Sequence, residues 1–114
     1  MTTATAEFFQ VLAERGREPA LAKATGTLRF DLSDGGGRAE RWLVTIKKGA
    51  VAVSHKNAKA DCVVRADRPL FDRIATGEAN AMSAFLRGAI EVEGDRGLLL
   101  AFQRVFPGPA RKGA

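Results

Sequence analysis

Residues 67–107 read DRPLFDRIATGEANAMSAFLRGAIEVEGDRGLLLAFQRVFP, and the spacing within this stretch decides the fold. Asp67 is placed to cap a helix that takes Pro69 in its first turn, where the missing N–H costs nothing. Leu70, Phe71 and Ile74 then share one face, and Gly77 ends the segment by tolerating the left-handed cap position. Asn80 caps a second short helix, in which Met82, Phe85 and Leu86 fall at the i, i+3, i+4 spacing of one stripe. Gly88 stops it. From Ala89 to Glu93 the period changes to two, with Ile90 and Val92 on one side and Glu91 and Glu93 on the other, as in a half-buried strand. Gly94 turns the chain, and Asp95 caps a last helix that carries Leu98, Leu99, Leu100, Phe102, Val105 and Phe106 before Pro107 closes it. That apolar stripe is wider than the roughly 100° a helix needs to lie on a sheet. Either flanking helices or a ligand must cover the excess, so the stretch reads as a lid over a sheet.

Upstream, Thr5 is a cap candidate for a helix over residues 5 to 16, in which Phe8, Phe9, Val11 and Leu12 form the apolar stripe and Gly16 marks the end. A short second helix spans Pro19 to Ala24. Leu28, Phe30 and Leu32 alternate with Thr27, Arg29 and Asp31 in a first strand, and Asp34 with three glycines forms the loop that follows. In the strand from Glu40 to Lys48, Trp42, Val44 and Ile46 point one way; a Lys48-Gly49 turn leads into Val51 and Val53 of a hairpin. Asn57 to Ala60 is a loop, and Asp61 to Ala66 a fourth strand containing Cys62. The order predicts one α+β domain over residues 1 to 114: a five-stranded, mostly antiparallel sheet with helices packed on one face, and a frayed tail from 107.

The 114 residues are 46% hydrophobic and 27% charged, which suits one core and leaves no room for a second. A single cysteine excludes an internal disulfide and a cysteine-built metal cage. The first residues lack a basic segment followed by an apolar run, and no apolar run approaches the ~18 residues of a membrane span. The expected location is cytoplasmic. A net charge of +5 biases encounters toward anionic surfaces, which admits a transient meeting with an anionic membrane.

Acid, base or nucleophilic catalysis needs convergent polar side chains in a pocket. The candidates, one His, three Ser and one Cys, stand at no recognisable spacing, so no catalytic residue, cofactor or metal site is assigned. His55 reads as a surface imidazole, and Glu91 and Glu93 as solvated. The glycines at 35–37 lead to a strand and not to a Gly-Lys-Ser/Thr helix start, so they read as a hairpin loop. Lys47, Lys48, Lys56 and Lys59 have no aromatic interleaved for base stacking, so no nucleic-acid partner is expected.

Three pieces of the chain resemble the sterol carrier protein type 2 domain, in its small stand-alone bacterial form. The first is Thr25-Gly26-Thr27-Leu28-Arg29-Phe30-Asp31-Leu32 with the strand Trp42-Leu43-Val44-Thr45-Ile46. The second is Ala60-Asp61-Cys62-Val63-Val64 leading to Pro69-Leu70-Phe71. The third is the mutual spacing of Gly77, Met82, Phe85, Gly88, Ile90, Val92, Gly94 and Asp95, with Leu99 and Phe102 beyond. The resemblance implies an apolar tunnel between sheet and helices that holds a fatty acid, acyl chain, sterol-like or isoprenoid lipid without transforming it. Carried over by position, it implies a lining of Trp42, Val44 and Ile46 from the sheet and Phe71, Ile74, Met82, Phe85, Leu86, Leu99, Phe102 and Phe106 from the helices. Two classes stay open, a non-catalytic lipid carrier and an interaction or dimerisation module whose apolar helix face a partner covers. Monomer and homodimer are both compatible with this reading.

Overall fold

The computed structural model describes residues 3–34 and 39–106; the expected glycine loop at 35–37 and the tail from 107 lie outside them. Helix α1 (Ala4–Arg15) is followed by a 3-10 turn (Pro19–Leu21) and by strands β1 (Thr25–Ser33), β2 (Ala39–Lys47), β3 (Ala50–Ser54) and β4 (Cys62–Asp67). Helices α2 (Arg68–Thr76) and α3 (Ala81–Leu86), strand β5 (Glu91–Gly94), helix α4 (Arg96–Phe102) and a 3-10 turn (Gln103–Val105) follow.

The five strands lie in the order β3-β2-β1-β4-β5. β1, β2 and β3 form an antiparallel meander, β5 pairs antiparallel with β4, and β4 runs parallel to β1 with Leu28 opposite Cys62 and Phe30 opposite Val64. A parallel pair needs a crossover, and here residues 55–61 make it. Arg29 donates from Nη1 to the carbonyl of Ala58 at 3.2 Å, which holds this connection across the face of the sheet that bears no helix.

Period-two alternation sorts the side chains. Leu28, Phe30, Leu32, Val44, Ile46, Val51, Cys62 and Val64 are buried on the helix side. On the opposite face Arg29 and Arg41 flank Asp31 at 3.1 and 3.4 Å, and Arg65 meets Glu93 at 3.1 Å. The Arg29–Asp31–Arg41 group is half-buried, whereas Arg65–Glu93 is exposed, and an exposed pair is worth only ~0–1 kcal/mol.

Six of the seven phenylalanines, Phe8, Phe9, Phe30, Phe71, Phe102 and Phe106, form one cluster between sheet and helices; Trp42 stacks on Phe9 with ring centroids 4.7 Å apart. Phe85 on α3 is the one outside it.

Two helix starts match the reading of the sequence: the side chains of Asn80 and Asp95 accept from the N–H groups of Ser83 and Leu98. The helix expected from Pro19 to Ala24 is only a 3-10 turn over Pro19–Leu21, and three further features differ. The cap of α1 is Thr3, whose Oγ1 accepts from Ala6 N–H, whereas Thr5 is fully buried and bonded to Asp72. Asp67 holds the cap position of α2 without a side-chain hydrogen bond to the helix. The last helix is shorter than its stripe, giving way after Phe102 to a 3-10 turn that ends at Val105.

Candidate functional site

The chain turns from β4 straight into α2, which lays Phe71 and Ile74 over Phe30 and Val64 at the middle of the sheet. α4 brings Leu99 to the same place from the other side, and α3 closes the gap between them. What remains is an apolar cavity of about 20 Å³ lined by Phe30, Val64, Phe71, Ile74, Ala81, Met82, Phe85, Ile90, Leu99, Gln103 and Phe106. That is room for about one water molecule, against the roughly 300–1,000 Å³ of typical ligand sites. The expected tunnel is therefore closed in this structure.

Six of the residues carried over from the resemblance meet at this cavity: Phe71, Ile74, Met82, Phe85, Leu99 and Phe106. Val44 and Ile46 are buried in the core away from it, Phe102 lies inside the aromatic cluster, and Trp42 sits between Phe9 and the ring of His55. Leu86 requires a correction. It is 76% exposed and turned to solvent, because a six-residue helix meets the core through Ala84, and Leu86 falls on the other side. Of the five lining residues not anticipated, Phe30, Val64 and Ile90 already carried the signal of an inward strand face, while Ala81 and Gln103 carry none.

The wall holds no charged residue, so the cavity offers dispersion contacts and dehydration and no means of moving protons or electrons at its surface. Cys62, two residues before Val64 on β4, is fully buried between β1 and β5. Burial, with Asp95 and Asp61 adding to it, pushes its thiol up to about 11, so at neutral pH it is a protonated apolar filler and not a nucleophile. Among the described residues no group of acidic, His and Cys side chains is arranged to hold a metal ion, and no helix is long and apolar enough to cross a membrane.

An α+β sheet of this order closing over an apolar cavity has known counterparts, and residues 7–107 match the model of the SCP-2 sterol transfer family. The chain belongs to that family. It is 33% identical over 109 residues to sterol carrier protein 2 of Homo sapiens, an alignment covering 92% of this chain and 20% of that protein. The chain thus spans about a fifth of the length of that curated relative. The solution structure of the sterol carrier protein domain 2 of Helicoverpa armigera has a TM-score of 0.72 at 22% identity, covering 90% of this chain and 87% of the other. The solution structure of palmitated SCP2L2 from Aedes aegypti has a TM-score of 0.72 at 20% identity, covering 97% and 100%. At these identities the structural matches establish the shared SCP-2 fold.

Proposed function

We propose that the chain is a non-catalytic carrier that binds, transfers or sequesters a fatty acid, acyl chain, sterol-like or isoprenoid lipid in the space between α2, α3, α4 and the sheet. One observation carries this reading: an uncharged cavity lies at the centre of an SCP-2 fold, walled by side chains from three helices and the sheet. The palmitated relative of the same fold supports an acyl chain as occupant.

Each methylene withdrawn from water contributes about 0.8 kcal/mol, so ten of them contribute about 8 kcal/mol. That corresponds to micromolar affinity before the cost of opening the cavity is subtracted. An affinity built from methylenes is broad in specificity. The chain acts as one domain, in the cytoplasm, and meets anionic membrane surfaces transiently through its positive charge.

A second reading, an interaction or dimerisation module, is favoured by a larger open groove of about 340 Å³ between α1, the end of α2 and Val105, where Val11 is 53% exposed. The separating experiment is organic extraction and mass spectrometry of lipid that co-purifies with the protein, beside light scattering of the same sample. A monomer carrying lipid supports the carrier. A lipid-free dimer overturns it.

A further inference from the structure

The cavity is too small for any lipid, so one of its walls has to move, and the walls are not held equally. β1 and β4 are paired on both edges at Phe30 and Val64. α2 is tied to α1 by two hydrogen bonds from Thr5 to Asp72, and Phe71 and Ile74 are fully buried. α4 is anchored by Phe102 within the aromatic cluster. Among the described residues α3 has none of these. Its hydrogen bonds, from Ser83 N–H to Asn80, Ala84 N–H to Asn80, Arg87 N–H to Ser83, Gly88 N–H to Phe85 and Ala89 N–H to Ala84, all close within residues 80–89. Ala84 alone among its residues is fully buried, and Phe85 makes no ring contact with the cluster. Gly77 and Gly88 bracket it with φ of 88° and 83°. A Cβ on Gly88 would meet nothing within 4 Å, so that end has space around it.

The outer side of the same helix carries Leu86, at 76% the most exposed of the large hydrophobic residues among those described. Arg87 follows it, and Arg73 stands at the end of α2; both are exposed, and neither joins an ion pair among the described residues. An exposed leucine followed directly by an exposed arginine matches the chemistry of a phospholipid surface, with the apolar side chain below the head groups and the guanidinium among the phosphates.

We propose that α3 is a hinged lid over the cavity and that Leu86 carries it into a phospholipid surface, so that docking opens the site to a lipid chain. Lifting α3 uncovers Met82 and Phe85 beside Leu86, which gives the open lid an apolar face that membrane, and not water, favours. This rests on the carrier reading above and adds the route of entry.

The test compares wild type with Leu86→Glu, a change at an exposed position that leaves the cavity wall intact. A fluorescent fatty acid is delivered either from vesicles of phosphatidylcholine and phosphatidylserine or from dilute aqueous solution. The expected result is vesicle transfer slowed at least about tenfold, with affinity for acid added from solution within about twofold of wild type. Equal transfer rates overturn the proposal. Loss of affinity by both routes overturns it as well, since Leu86 would then act in the binding wall. A wild type that binds the acid by neither route overturns the carrier reading and the lid with it. Amide exchange supplies a second measure: residues 80–89 of the lipid-free protein exchange faster than α2 and slow on loading, and protection equal to that of α2 contradicts a lid.

Discussion

The backbone N–H and the side-chain hydroxyl of Thr5 both donate to one oxygen of Asp72, Oδ1, the former at 2.9 Å. Thr5 is fully buried in the first turn of α1, so a carboxylate on α2 serves the start of another helix. The pair ties α1 to α2, the helix that brings Phe71 and Ile74 to the cavity.

Asp72→Ala leaves that hydroxyl and N–H without their partner. Charge-assisted bonds of this kind are worth about 1.5–3 kcal/mol. Urea unfolding is expected to show a loss in that range, with Thr5→Val losing part of it. A loss below about 0.5 kcal/mol for Asp72→Ala would mean that α1 is held by its apolar face alone.

The two glycines at the ends of β5 and α3 separate backbone strain from collision. At Gly94, φ is 93° and a Cβ would come within 2.2 Å of the Asp61 carbonyl oxygen, which belongs to the backbone and cannot step aside. At Gly88 φ is 83° with open space around it. Gly88→Ala is expected to cost about 1–2 kcal/mol from the left-handed conformation, and Gly94→Ala clearly more, with β5 displaced. Equal losses in denaturant titrations would refute the collision at Asp61.

Much of the fold was legible because its determinants are local. The caps Asn80 and Asp95, the alternation through β1, β2 and β4, and Gly77 as a left-handed stop are each set within a few residues. Thr3 and Thr5 could not be told apart that way, since either fits a cap and only the distant Asp72 decides between them. The parallel pairing of β1 with β4 has no local mark either. At the site, Val44 on β2 and Val64 on β4 obey the same inward alternation, yet Val64 alone borders the cavity. Periodicity tells which face is buried and not which buried residue has empty space beside it. Leu86 was misplaced because an i, i+4 stripe presumes a surface along the whole helix, and six residues offer too little length.

Cys62 links stability to pH on the alkaline side. Its folded thiol is raised from 9.0 to about 11, so the folded state holds the proton longer than the unfolded one. The resulting stability is fully present below about pH 9 and is lost as pH rises through 9 toward 11. Cys62→Ser is expected to be less stable at pH 7 and to lose this alkaline dependence. In the native protein a thiol reagent at pH 8 reacts with Cys62 only as fast as the chain unfolds; rapid labelling without unfolding would contradict its burial.

Met82→Trp places an indole on the wall that α3 contributes. Because α3 yields, the expected loss of stability is under about 1 kcal/mol, whereas overpacking a fixed core costs about 1–3 kcal/mol. Binding of a fluorescent fatty acid is expected to weaken at least about tenfold, or roughly 1.4 kcal/mol. A destabilised fold with unchanged binding would remove Met82 from the site.

The most direct test of a lipid chain between α3 and the sheet is intermolecular NMR contact between a bound saturated fatty acid and the methyl groups of the protein. The account predicts contacts from the acyl chain to Ile74, Met82, Leu99 and Val64, with none to Leu21 or Val51 on the far side of the core. Contacts confined to Val11 and Leu12 in the groove beside α1, with none at Met82 or Leu99, would contradict it.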